Sequence, residues 1–227
     1  MRRFRCCAPH TLTRRYMPEF NGGILKDLII LTITLVGGYF IWLYQQKRTE
    51  RKANESTKQR MFACVHDLAV RRQHDLEAAN NAFKVSVLVN KKYLDSNAFN
   101  EVSYPKRINV NLLEQCLQKS HDLFPINYRE ALDVLIIHSQ AINQHLDEIR
   151  TLSKTSLVLK PEELSGLHCQ MLSYSYLVHE LERLKERYVT PSITHQQSLE
   201  VAARAFGLPL SPDEIVSNYH KENLVLR

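Results

Sequence analysis

Glycine is scarce in this chain of 227 residues, which holds six. Four of them, Gly22, Gly23, Gly37 and Gly38, come before residue 40, leaving only Gly166 and Gly207 for the rest. A dinucleotide-binding fingerprint or a phosphate-cradling loop needs several glycines within a few residues, because its backbone must approach a phosphate closely. Neither can be built here. The same scarcity, together with long uninterrupted periodic runs, argues for helices over a β fold with many turns.

Cysteine is sparse as well. Of Cys6, Cys7, Cys64, Cys116 and Cys169, three lie beyond residue 60, widely spaced and odd in number. That is not a disulfide framework, and no C-x-x-C pair points to zinc. The thiols read as small buried apolar residues in a reducing compartment. Each has a histidine nearby in sequence (His66, His121, His168), but catalytic partners are matched in space, so the proximity says little. No G-x-S-x-G elbow is present.

Ten histidines are present, yet no two are three or four positions apart, which excludes H-E-x-x-H and similar helical chelates. His145 with Glu148, and His179 with Glu182, are i,i+3 pairs on two expected neighbouring helices. A di-iron helical bundle uses Glu-x-x-His with further inward carboxylates. Here the order is reversed and the inward carboxylates are missing, so solvated flank residues are the favoured reading. These four are the weak metal candidates. His138 and His145 share a face but lie about 10 Å apart along it, too far to chelate one ion. No catalytic residue and no cofactor is expected.

Charge is uneven. Residues 1–60 hold twelve Lys/Arg against four Asp/Glu, and residues 61–227 hold eighteen against twenty. The basic character therefore belongs to the N-terminal region. A nucleic-acid surface on the remainder is not expected, because that needs a basic stripe on a folded face. The segment from Glu200 to Leu208 resembles the first half of a helix-turn-helix. Pro209 and Pro212 then bracket the turn, and Asp213-Glu214 stand where a recognition helix wants basic or amide side chains. A helical hairpin packing on the domain is the better reading.

Against these absences stands one long apolar run. Leu28 to Tyr44 (LIILTITLVGGYFIWLY) carries no charge. At about 1.5 Å per residue its 17 residues span about 26 Å, near the thickness of a hydrocarbon core. Ile24 and Leu25 extend it, with Lys26 snorkelling and Asp27 favoured by the helix dipole. Tyr39, Trp42 and Tyr44 cluster at the far end like an interfacial belt. A buried core helix and a cleaved signal peptide are the competing readings. The basic tract QQKRTERK that follows contains no small-x-small cleavage site. Thr34 and Gly38 form a small-xxx-small pair that lets two helices approach closely.

Flanking charge gives an orientation. Lys47, Arg48, Arg51, Lys52, Lys58 and Arg60 follow the run, and Arg14, Arg15 and Lys26 precede it. Positive-inside then places the C-terminal domain in the cytoplasm. Counting Arg2, Arg3 and Arg5 removes the bias. Residues 1–16 are arginine-rich and acid-free, and translation is expected to start at Met17, which restores it. An exported domain behind a basic cytoplasmic tail is the alternative.

Beyond a polar stretch at 45–60, three helical seams appear. The first is Met61, Val65, Leu68, Leu76, Ala79, Phe83 and Val87, interrupted by Arg72. The second, over 127–153, is Leu132, Leu135, Ser139, Ile142, Leu146 and Ile149, with the 3.5 period of a coiled coil. The third is Leu164, Leu167, Met171, Tyr174, Val178, Leu181 and Tyr188, opened by Lys160-Pro161-Glu162-Glu163. Residues 90–109 read as a loop and 110–121 as a short helix. Helices to Phe206 and from Ser211 complete the chain, with Gly207 as cap and Ser211-Pro212-Asp213-Glu214 as capping box.

The expected fold is all-α: one N-terminal transmembrane helix, then an antiparallel helical bundle with a C-terminal helical hairpin. Its divisions are a basic tail (1–23), the membrane helix (24–44), a juxtamembrane stalk (45–60), the bundle (61–189) and the hairpin (190–227). The expected partners are the lipid bilayer through 24–44 and another protein, or a second copy, through helix faces. A protein-interaction, adaptor or regulatory role at the membrane fits best. A ligand sensor with a cavity lined by Tyr174, Tyr176 and histidines is the second reading. An enzyme with an unfamiliar site is the third.

Overall fold

The computed structural model describes residues 22–155 and 158–225. The basic tail before Gly22, with its Met17 start and Cys6-Cys7 pair, lies outside the described residues. Among the described residues every regular element is helical and none is a strand. The described residues form six α-helices: α1 (Gly22–Asn90), α2 (Asn111–Ser120), α3 (Ile126–Thr155), α4 (Pro161–Leu184), α5 (His195–Phe206) and α6 (Pro212–Val225). Short 3-10 turns cover Ser96–Glu101, His121–Leu123 and Lys185–Arg187. The chain divides into two compact units between Arg51 and Lys52.

In the first unit, α1 holds an apolar stretch long enough, by length and composition, to cross a membrane. None of that stretch is buried. Leu28, Ile30, Leu35, Phe40 and Tyr44 all stand exposed. A soluble protein rarely leaves so long an apolar surface uncovered. Thr32 and Thr34 donate their hydroxyls to the carbonyls of Leu28 and Ile30, four positions back.

In the second unit the three seams are the buried faces. Leu132, Leu135, Ser139, Ile142, Leu146 and Ile149 on α3 are almost wholly shielded from solvent. So are Leu164, Leu167, Met171, Tyr174, Val178 and Leu181 on α4, and Met61, Val65, Leu76, Ala79, Phe83 and Val87 on α1. Full burial of one such aliphatic or aromatic side chain stabilises by about 1.5–3 kcal/mol. The residues 85–89, which alternate like a strand, are helical. They follow the α1 seam, and the contacts along a packed helix outweigh a local β preference.

α3 and α4 pack on each other, and α4 also packs on α5. His145 meets Gln170, while Ser139 meets Tyr174, so the α4 partner rises as the α3 position falls. Gly166 faces the His145 ring, and a Cβ there would lie 2.8 Å from His145 Cε1. Glycine at 166 thus lets an imidazole lie against the α4 backbone.

The helix ends follow local chemistry. Pro161 opens α4, and the Glu163 carboxylate accepts the Lys160 N–H at 2.9 Å. Thr194 and Gln197 form a capping box on α5, and Gly207 closes that helix with φ 63°. Ser211 Oγ accepts the Glu214 N–H at 3.2 Å, and Glu214 accepts the Leu210 N–H at 2.7 Å. Ser211 therefore caps α6, while Glu214 reaches back past the cap to the residue before it. Between α1 and α2 the chain is pinned by Asn143, whose side-chain amide accepts from the Ile108 N–H and donates to the Ile108 carbonyl.

Leu146→Ala, at a fully buried site, is expected to destabilise the protein by about 2–5 kcal/mol. Ile137→Ala, on the exposed face of the same helix, is expected to change stability by less than about 1 kcal/mol. Urea unfolding followed by circular dichroism reads both, and equal losses would show that the seam is not the core of α3.

Candidate functional site

The four weak metal candidates lie apart and have separate partners. His145 Nδ1 is 3.1 Å from Gln170 Oε1, and Glu148 Oε1 accepts from Gln144 Nε2 at 3.1 Å. His179 Nδ1 accepts from Arg72 Nη2 at 3.3 Å. Glu182 Oε1 is 2.7 Å from His66 Nδ1. Gln170 and Glu182 are twelve positions apart on α4, or about 18 Å of helix rise. The two pairs are thus at different levels of the fold and do not converge. Among the described residues no group of three His, Cys, Asp or Glu side chains is arranged to hold a metal ion.

Arg72, which interrupts the α1 seam, has a defined role. It is half-buried. Its Nη1 donates to the Ser175 carbonyl at 2.9 Å and its Nε to the Ala69 carbonyl at 3.1 Å. The guanidinium carbon lies 5.5 Å from the centroid of Phe206 on α5. One side chain therefore joins α1, α4 and α5. Each hydrogen bond contributes about 0.5–1.5 kcal/mol, and the ring contact a comparable amount.

His168 secures the turn after α5. It is fully buried, its Nε2 donates to the Pro209 carbonyl at 2.9 Å, and its ring stacks on Phe83. Burial pushes this imidazole below its ordinary range, and nearby Lys84 adds to the effect, while the bond to Pro209 opposes it.

Two cavities hold the remaining candidates. The first, of about 420 Å³, is walled by Phe62, His66, Tyr128, Glu182 and Lys185. The buried Tyr128 hydroxyl has no hydrogen-bond partner among the described residues. Lys185 ends α4 with φ 50° and ψ −131°, a conformation that favours glycine. Its ammonium lies 5.3 Å from the Phe62 ring centroid. The His66–Glu182 pair on this wall is substantially exposed, and such pairs contribute at most about 1 kcal/mol.

The second cavity is a cleft of about 280 Å³ between α3, α4 and the segment leading into α5. Its apolar wall includes Val134, Leu177, Val189 and Ile193, and its polar groups include His138, Ser173, Tyr176 and His195. Val134, Val189 and Ile193 are 43%, 66% and 41% exposed, so the rim is uncovered apolar surface. Ser173 Oγ is buried with no partner among the described residues. Burial pushes His138 below its ordinary range, and the facing His195 adds to the shift. The cleft therefore presents a neutral imidazole and an unsatisfied hydroxyl inside an apolar rim. That combination, apolar walls with a few convergent polar groups, is typical of binding sites.

The expected cavity lined by Tyr174, Tyr176 and histidines is partly realised. Tyr176 lines the cleft with two histidines, whereas Tyr174 lies in the core and touches a separate cavity beside Cys64 and Arg72. Periodicity separates the two, since Tyr174 falls on the seam and Tyr176 beside it. The polarity of Ser173 was visible, but its lack of a partner depends on packing. No protein-family model matches this chain, and no curated protein or solved structure shows significant similarity to it.

Stability has a definite sign with pH. His168 and His138 are held neutral in the folded chain, while an unfolded histidine titrates near 6.5. Below about 6.5 the unfolded state binds more protons, so stability present above that pH is lost as pH falls toward the depressed folded values. The urea midpoint is expected to be lower at pH 5 than at pH 7.5. His168→Gln, which keeps a donor for Pro209, is expected to reduce this difference. An unchanged pH dependence in that variant would remove His168 from the account.

Proposed function

We propose that this chain is a single-pass membrane protein whose helical domain acts by binding another protein, as an adaptor, assembly factor or regulatory subunit. The observation that carries this reading is the cleft between α3, α4 and α5. Its rim leaves Val134, Val189 and Ile193 open to solvent beside an unfilled apolar wall. Apolar side chains on a partner's amphipathic helix fit such a groove, as in helix-in-groove recognition. Anchoring raises the local concentration of such an interaction without any new contact.

Residues 24–44 form the anchor in this reading, and residues 45–60 a juxtamembrane stalk. The uncovered apolar stretch of α1 supports that assignment. The six basic residues between Lys47 and Arg60 support a cytoplasmic domain by the positive-inside rule. The domain is an antiparallel helical bundle over 61–189 with a helical hairpin over 190–227. The opposed pairing of 145 with 170 and 139 with 174, and the close caps at Gly207 and Ser211, support this arrangement.

A second reading is favoured by one observation. Ser173 Oγ is buried at the cleft without a partner among the described residues, and the neutral His138 lines the same cleft. A small ligand with one donor and one acceptor satisfies both groups, and the protein is then a ligand sensor at the membrane.

Topology and binding are tested together. A tag after Arg227 is expected to be protected from protease added outside intact cells, and the chain is expected to stay with membranes in alkaline carbonate. Cross-linking is expected to trap a stoichiometric membrane partner. Val134→Asp with Ile193→Asp is expected to cut that yield at least tenfold, about 1.4 kcal/mol in binding, while urea stability changes by less than about 1 kcal/mol. Unaltered capture would move the interface elsewhere. Loss of capture with binding of a small metabolite would bring the sensor forward.

A further inference from the structure

Two of the three cysteines in the second unit meet. Cys64 on α1 and Cys116 on α2 are 52 positions apart, yet their Sγ atoms are 3.9 Å apart. A disulfide bond measures about 2.05 Å. Closing the gap takes a movement of about 1.9 Å, within reach of side-chain rotation with a small helix shift. Cys169 sits on α4, half-buried.

The two thiols differ in environment. Cys64 is buried, and burial with Cys116 beside it pushes its thiol up to about 11. Cys116 is half-buried and lines a cavity of about 400 Å³. Arg60 and Lys119 stand on the wall of that cavity, with Asp67 as its one acid. Both cysteines line the cavity, and Cys116 is the less buried of the two, so an oxidant entering it reaches Cys116 more readily.

We propose that Cys64 and Cys116 form an oxidative modification site, in which a hydroperoxide oxidises Cys116 and Cys64 resolves the product to a reversible disulfide joining α1 to α2. The Cys116 thiolate attacks one peroxide oxygen, forming an S–O bond and breaking the O–O bond. The leaving hydroxide takes a proton and becomes water. The Cys64 sulfur then attacks the sulfenic sulfur. The S–S bond forms, the S–O bond breaks, and the hydroxyl leaves as a second water with the Cys64 proton. With hydrogen peroxide, two thiols lose two electrons and two protons while one peroxide becomes two waters. A dithiol reductant reverses the change by thiol–disulfide exchange. The bond closes a loop over the end of α1 and the 91–110 connection, which narrows the unfolded ensemble.

The full-length protein in detergent is treated with hydrogen peroxide, blocked with N-ethylmaleimide and digested with trypsin. The expected product links the peptide Met61–Arg71 to Ile108–Lys119, two hydrogens lighter than their sum, and disappears with dithiothreitol. The oxidised protein is expected to melt on the order of 10 °C higher than the reduced one. Cys116→Ser is expected to abolish both effects, and Cys169→Ser to leave them intact. In Cys64→Ser, Cys116 is expected to gain two or three oxygens instead of a link. Full maleimide labelling of Cys116 after peroxide, or its linkage to Cys169 or to a second chain, would overturn the proposal. The wild-type digest decides the matter even where a cysteine variant fails to fold.

Discussion

The second unit rests on the apposition of the α3 and α4 seams. Each presents an unbroken row of buried side chains, and the rows meet along most of both helices. Removing that surface from water is the largest favourable term available to a domain with few exposed ion pairs of consequence. One polar contact lies in the middle. Ser139 donates to the Leu135 carbonyl and lies close to Tyr174, so its buried hydroxyl is not left as an orphaned donor in the core.

The remaining elements attach to this pair by fewer and more polar contacts. α1 lays its own seam on the pair and adds Arg72, whose fork reaches the α4 backbone and the ring of Phe206. The C-terminal segment is fastened by that ring and by His168 on the Pro209 carbonyl. Cys64 and Cys116 bring α1 and α2 together. The cleft with the exposed rim falls where the chain crosses from α4 to α5, because the segment Val189–Thr194 is not helical and does not fill the space beside α3.

Much of the fold was legible in the sequence, and the reason is periodicity. The 3.5-residue spacing of Leu132 to Ile149 identifies one face of a helix before any coordinate is known. Pro161, Gly207 and Ser211 act through their own backbone neighbours, so their positions mark helix ends directly. The stretch from Leu28 to Tyr44 is readable because lipid compatibility is a matter of composition. The site was less legible. Arg72 stood out as a break in a seam, but the acceptors that make it sensible come from residues 175, 179 and 206. Glu182 was paired by spacing with His179, whereas the structure gives it His66, more than a hundred positions away. The cysteines looked unrelated because 52 residues separate two that touch. Long-range pairing leaves no local pattern, and a single sequence carries only local patterns.

Thr32 and Thr34 add a consequence for the apolar stretch. Both hydroxyls are already spent on carbonyls of their own helix. A hydroxyl whose proton is bonded in this way offers a neighbouring helix only its acceptor lone pairs, so in the proposed anchor these two residues are less polar than free hydroxyls. In the proposed anchor, a pairing of two such helices at Thr34 and Gly38 then relies mainly on close backbone contact, because no threonine proton is left to donate across it.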